Sequence, residues 1–454
     1  MSTTNTTVTE KHGFRFGDIR KMLGGNGTSS LRQFGILGSL IVIIVLFEIL
    51  TLLRNGPNGA TLTSGNLINV INQYSFILIL AIGMVMVIIM GHIDLSVGSV
   101  AAFTGIVVAK SMTEWNLPWP LAILFGLLVG ALVGAWQGFW VAYVGVPAFI
   151  VTLAGMLFFR GAQQWIGDAQ TIPVPKGFQY IGTGYLPELG GPFQFNVLTM
   201  LLALAGVAWL VFWEIRTRRI QQKMGADRAP LWVSVTKVVL LSIVVLAAAW
   251  MFATGRPGTS FPVPGIILLV LVIIYSFITN NTVFGRHLYA VGGNRQAARL
   301  SGVKDRWVDF FVMMNMSVLA ALAGMIFVAR SQASGPGDGN GWELDAIASV
   351  FIGGAAVAGG IGTVIGSIIG GLVMGFLNNG LQLLGQGSDV VSMIKGLVLL
   401  IAVGVDVWNK QQGRPSLIGF MTRRRGHQDA PNLTDYPTSA ADSASGKKET
   451  TSRS

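Results

Sequence analysis

Ionisable and amide side chains are scarce in this chain, so the few that interrupt its apolar runs are where chemistry must reside. Of 454 residues, 11% are charged and 52% are hydrophobic. The string Gly91-His-Ile-Asp-Leu-Ser-Val-Gly-Ser99 sets an ionisable pair inside apolar sequence of hydrocarbon length. A carboxylate at the bilayer centre costs about 3 kcal/mol on insertion scales, so Asp94 is expected to end one helix and begin the next. Two roles stand for Asp94, Ser96 and Ser99: capping the free N–H groups of a helix beginning near Leu95, or contact with a transported solute. Amides recur at helical spacing elsewhere. Asn69, Asn72 and Gln73 share a face at i, i+3, i+4, and Asn378 and Gln382 share another at i, i+4, with Asn379 beside them. These sets read either as the lining of a path or as solvated helix ends.

Several chemistries are excluded by what is missing. The chain has no cysteine, which removes disulfides, thiolate metal sites and cysteine nucleophiles together. Its four histidines, at 12, 92, 287 and 427, form no constellation for metal binding or catalysis. No G-x-x-x-x-G-K-[ST] occurs, so nothing here cradles ATP phosphates. Gly359-Gly-Ile-Gly362 lacks the lysine and reads as a packing feature. The formal charge of +11 points to loops facing anionic lipid, not to nucleic acid.

The elements that position these residues are helices in a membrane. Twelve apolar runs fall near 34–53, 67–90, 95–112, 119–144, 146–164, 197–213, 232–254, 261–279, 308–329, 345–361, 366–384 and 390–408. Without water to pair backbone groups, such a chain must form a helical bundle or a closed barrel, and unbroken runs with interspersed glycine decide for helices. The expected class is an all-α polytopic integral membrane protein with about 10 to 12 transmembrane helices. Gly126, Gly130 and Gly134, and again Gly362, Gly366 and Gly370, stand at the spacing of close helix contacts. Basic clusters before the first run, after the sixth, after the eighth and after the last (Arg423 to Arg425) are separated by even numbers of runs. By the positive-inside rule both termini are then cytoplasmic and the loop around Asp168 lies outside. Residues 1–33 read as a basic cytoplasmic leader, 34–408 as the membrane domain and 409–454 as a disordered cytoplasmic tail. Arg160, Arg330 and Lys395 are expected to snorkel to headgroups, with Asp309 at an interface. A two-fold internal repeat with broken helices is also expected, since the Gly83-Met84 stretch running to Asp94 matches the Gly324-Met325 stretch running to Asp345, 251 positions on.

The cytoplasmic segment Tyr289 to Val303 differs in kind, being polar, basic and punctuated by glycine. Ala297 and Ala298 favour a short surface helix suited to docking, against the alternative of an ordinary loop. Together with His92-Ile-Asp-Leu-Ser-Val-Gly-Ser99, Val146-Pro-Ala-Phe-Ile-Val-Thr-Leu153, Phe159-Arg-Gly161 and Leu344-Asp-Ala-Ile-Ala348, it resembles the permease subunits of bacterial monosaccharide ABC importers. The stretch Thr282 to Asn294 and the extra apolar pair between about 197 and 254 are most similar to the xylose-type or multiple-monosaccharide branch. The resemblance implies a homodimer of permeases in the bacterial inner membrane, a separate cytoplasmic ATPase that uses ATP and Mg, and an external sugar-binding protein. It also implies that Asn294, Arg295, Ala297, Ala298, Arg299 and Gly302 belong to an ATPase-coupling segment within 290–304, and that this chain binds no cofactor of its own. Uncharged amides and hydroxyls along a path would then suit a sugar. The competing readings are a stand-alone proton-coupled transporter, for which Asp94 and His92 are the deep candidates, and a membrane enzyme, for which no catalytic cluster exists.

Overall fold

A computed structural model describes residues 28–188, 195–223, 231–254 and 260–411. Helix α1 spans Thr28–Asn55, α2 Ser64–Ile89, α3 Val97–Thr113, α4 Trp119–Phe139, α5 Ala148–Ile166, α6 Lys176–Thr183, α7 Val197–Lys223 and α8 Leu231–Ala253. The series continues with α9 Val263–Asn281, α10 Val283–Gly293, α11 Arg295–Leu300, α12 Asp305–Ser331, α13 Trp342–Ile352, α14 Val364–Leu383 and α15 Ser388–Gln411. Among the described residues, eight helices are long and apolar enough to cross a membrane, and α3 is a shorter apolar helix. The chain is an all-α polytopic membrane protein, in which the one sheet among the described residues is the short antiparallel pair β1 (Ile172–Pro173) and β2 (Ala333–Ser334). The expected leader boundary at 33 falls inside α1, and the expected tail boundary at 409 falls inside α15. The rest of the leader, the rest of the tail and the cluster Arg423 to Arg425 lie outside the described residues.

The centre of the bundle is built on α2 and α12. Every residue from Tyr74 to Met90 is buried, as expected of a helix that is apolar on all sides. Phe76 meets Phe327 edge-on at 5.1 Å, and Gly83 lies against Met316 and Leu319, so the two helices run antiparallel. Helix α4 closes on α12 through Gly126, Gly130, Gly134 and Gly138, one per turn. A Cβ at Gly134 would stand 2.6 Å from Met314 Cα. Lipid supplies no hydrophobic drive between helices, so this backbone approach and the dispersion it gains hold the pair. The second stripe behaves likewise: Gly366 abuts Gly353, and Gly370 abuts Ser349 and Gly353. By contrast α7, α8 and α9 expose Leu204, Leu240, Val244 and Ile273 among others, a surface suited to hydrocarbon.

Two crossings are broken. After α2 the chain turns at Gly91, with φ +77°, runs through His92 to Leu95 without helix, and begins α3 at Val97. After α12 it passes β2 and the turns at Gly339 and Gly341, and begins α13 at Trp342. The run expected over 345–361 is therefore not one helix. Its first part is the eleven-residue α13, and the remainder is a glycine-rich turn over 353–362. The start of α3 meets the approach to α13, where Gly98 abuts Gly339 and Glu343.

Candidate functional site: the short helix α11 and the broken crossings

Helix α11 has six residues and is started by its own N-cap, with Asn294 Oδ1 accepting the N–H of Ala297 at 3.0 Å. Gly302, at φ +85°, turns the chain away after it. Beneath it lies an ionic latch. Asp309 accepts from both terminal nitrogens of Arg295, Nη2 at 3.0 Å, and its Oδ1 stands 2.9 Å from His92 Nε2. Arg299 Nη2 donates to Asp305 at 2.7 Å. The Asp309 carboxylate holds the Arg295 guanidinium above its ordinary range, and Asp305 does the same for Arg299. A groove of about 640 Å³ opens beside the latch, between Arg295, Asp309 and the π-helical turn Trp140–Val144.

The latch joins α11 to the first broken crossing, because His92 sits in its non-helical stretch. A main-chain contact joins the neighbouring residues to the second. Gly292 abuts the Ile89 carbonyl, which accepts the N–H of Gly360 at 2.8 Å, and Tyr289 Oη donates to the Gly362 carbonyl at 2.8 Å. Any side chain at Gly292 would collide with Ile89. Helix α11 and the end of α10 that precedes it thus together touch the ends of both broken crossings.

Inside the bundle Asp94 is buried, and its Oδ1 accepts from the Ser96 N–H at 2.8 Å and the Ser96 hydroxyl at 2.6 Å. The Ser96 hydroxyl accepts from Gln137 Nε2 at 2.8 Å, the Leu95 N–H donates to Thr152 Oγ1 at 3.1 Å, and Ser99 Oγ donates to the Ser96 carbonyl at 2.8 Å. These bonds pin the break between α4 and α5.

Comparison with known proteins gives the arrangement its family. Residues 66–403 match the model described as "Branched-chain amino acid transport system / permease component". The chain belongs to this permease family. It is 38% identical over 384 residues to the xylose transport system permease protein XylH of Haemophilus influenzae, covering 84% of this chain and 98% of that one. Identity to XylH of Escherichia coli K12 is 37% over 384 residues, with 84% and 93% covered. Identity to the ribose import permease protein RbsC of Escherichia coli K12 is 35% over 374 residues, with 82% and 94% covered. No solved structure matches.

The permease places its other sequence-derived residues as follows. Asn379 is buried and exchanges two amide bonds with Asn66, at 2.8 and 2.9 Å, which commits it to joining α2 and α14. Asn378 and Gln382 bond each other along α14 at 3.1 Å, with Gln382 exposed. Asn72 donates to the Tyr185 hydroxyl at 3.2 Å, Gln73 is half-buried and Asn69 is exposed. Asn379 therefore meets α2 through Asn66, a residue outside both sets, and no hydrogen bond among the described residues joins the two sets as one lining.

Ala297 is exposed on α11, whereas Ala298 is 6% exposed and packs into the permease itself. Lys395, expected to reach for headgroups, bonds Asp345 of α13 at 2.9 Å. Arg160, expected to do the same, has Nε and Nη2 buried in the protein. Asp309, expected at an interface, is the centre of the latch. The residues that sequence reasoning missed were Leu300, 90% exposed on α11, and Asp305, together with the pairing of Asp309 to Arg295 and His92. Among the described residues no group of three or more His, Asp or Glu is placed to hold a metal.

Proposed function

We propose that this chain is the membrane permease of an ATP-binding-cassette importer for a monosaccharide, a xylose-like pentose or related hexose, in a bacterial inner membrane. The observation that carries the ATP-driven part is α11. It is a short helix on the surface that presents Leu300 and Ala297 outward while ion pairs brace it from behind. An exposed leucine on a rigid helix suits insertion into a groove of a partner. ATP and Mg belong to that partner, a separate ATPase, because this chain has no phosphate loop. The relatives named for xylose and ribose support the sugar. An external binding protein delivers it, two copies of the permease form the working unit, and α11 faces the cytoplasm with both termini.

The latch gives this reading a mechanism. Movement of the ATPase pulls on α11, the Arg295–Asp309–His92 contacts pass it to the first broken crossing, and the Gly292 and Tyr289 contacts pass it to the second. Because Ala298 faces inward, the informative substitutions lie at Ala297 and Leu300. Leu300→Glu and Ala297→Glu are expected to insert normally and to lose co-purification of the ATPase and sugar uptake. Retention of both, in protein that carries the substitutions, would remove α11 from the mechanism. Uptake by the purified chain alone, down a proton gradient, would overturn the ATP-driven reading in favour of secondary transport.

A further inference from the structure

The two broken crossings meet in the middle of the bundle with an excess of buried polar groups. Helix α3 starts at Val97 and α13 at Trp342, and Gly98 abuts both Gly339 and the Glu343 carboxylate. Two helix N-termini, each carrying partial positive charge, are thus aimed into one region. Helix α5 forms a third wall. Its Thr152 bonds the Leu95 N–H, its Gly155 packs beside Ser96, its Phe159 meets Phe103 at 5.2 Å, and its Gln163 Nε2 donates to the Gly335 carbonyl at 2.8 Å. Arg160 lies between the last two of these residues, within electrostatic reach of Glu343, which in turn reaches Asp94.

Five buried side-chain atoms here have no protein partner: Asp94 Oδ2, Arg160 Nε, Arg160 Nη2, Gln163 Oε1 and Glu343 Oε2. Such groups are expensive in a bundle surrounded by hydrocarbon and mark solute paths when they occur. Asp94, Gln163 and Glu343 are each more than nine-tenths buried. From Arg160, Gln163, Glu343 and Asp94 we infer a transient binding station for the hydroxyl groups of a neutral sugar, set between the two broken crossings. The chemistry selects the class. The free edge of the guanidinium donates to adjacent hydroxyl oxygens, while the two carboxylates and the amide oxygen accept from hydroxyl hydrogens. An anion would face Asp94 and Glu343, and a cation would face Arg160 and two helix N-termini. A polyhydroxylated neutral solute meets neither conflict. Discontinuous helices in corresponding halves of a transporter are also where a midplane site is expected on general grounds.

This station rests on the monosaccharide reading, and its test separates the two. The full importer, permease with its ATPase and binding protein, is reconstituted in vesicles as wild type, Arg160→Gln, Arg160→Lys and Glu343→Gln. Each is supplied with xylose and with its monodeoxy analogues, and assembly is checked by co-purification of the ATPase. Arg160→Gln is expected to lower xylose uptake about tenfold or more, the scale of one lost charge-assisted hydrogen bond. The loss should shrink for the analogue that lacks the hydroxyl which Arg160 holds. Arg160→Lys should restore part of the rate, and Glu343→Gln, which keeps the side-chain volume, should show its own dependence on a different hydroxyl. Equal losses for xylose and every analogue would mean that these groups serve packing or bound water, and would overturn the station alone. Wild-type rates in all variants would do the same. A wild-type importer that carries no monosaccharide would remove both readings.

Discussion

At Asp309 three elements meet on one carboxylate: α11 through Arg295, the first break through His92, and α12, which carries it. Its side chain is 5% exposed, so removing its charge leaves the half-buried Arg295 guanidinium facing a buried neutral group. Breaking a fully buried pair typically costs about 3 to 5 kcal/mol, and solvent at the one-third-exposed Arg295 lowers the cost here below that. Asp305 holds Arg299, whose side chain is 63% exposed, and exposed pairs contribute about 1 kcal/mol or less. Asp309→Asn is therefore expected to lower the melting temperature of the detergent-purified permease much more than Asp305→Asn. Equal shifts would show that the latch is no stiffer than an ordinary surface pair. Both acids were legible in the sequence in a way that went unread. Arg295 and Arg299 stand four apart on one helix, Asp305 and Asp309 four apart on the next, and matching periods of opposite charge align when the two helices fold back. Lys395 offered no such signal. Its partner Asp345 lies fifty positions away, and α15 packs through Val391 on Phe47 of α1 and on Leu377 and Leu381 of α14, so only the tertiary fold brings its lysine to α13.

At the scale of elements, glycine spacing was the most readable feature and periodicity the least sufficient. The stripe Gly126, Gly130 and Gly134 was visible because small residues at i, i+4, i+8 have few uses in an apolar helix other than close approach. What it approached, α12, was not visible, since nothing in a repeated glycine names its partner. Gly134→Val is expected to force α4 off Met314 and to lose folded protein, measured by size-exclusion recovery in detergent. Gly161→Ala, on α5, where an added Cβ meets nothing, should express as wild type. Similar recovery of both would mean that the α4 contact tolerates separation. The broken crossing at α13 was half legible. The acidic interruption at Asp345 gave away a break, but apolar composition alone could not distinguish one 17-residue helix from an 11-residue helix and a glycine turn. For Asp94 the alternatives were capping and solute contact, and the structure shows one oxygen bonded to Ser96, which makes no side-chain cap for α3, while the other is buried without a protein partner.

For the whole molecule, the parity of the basic clusters predicts that both ends lie on the cytoplasmic side. Helix α1 finishes beside the end of α14, where Asn55 Nδ2 bonds the Leu383 carbonyl at 2.9 Å, and α15 starts shortly afterwards to run back. The start of α1 therefore lies at the α11 end, while Asp168 lies at the opposite end with Lys110. In the cysteine-free chain, single cysteines at Ala297 and Asp168 test the sidedness in intact cells with an impermeant thiol reagent. Labelling is expected at Asp168→Cys alone, and labelling at Ala297→Cys would invert the assignment. The contact of Gly98 with Gly339 carries a further consequence. There two stretches of main chain touch, with the Glu343 carboxylate packed against the same glycine. On the proposed importer reading these glycines have to seat closely enough to stop protons and small ions whenever no solute is moving, because a cell that stores energy as a voltage cannot carry a standing leak. A methyl added at Gly98 would collide with the Gly339 carbonyl oxygen, so Gly98→Ala is expected to wedge this seam and to lower the membrane potential of cells that make the permease, read with a voltage-sensitive dye.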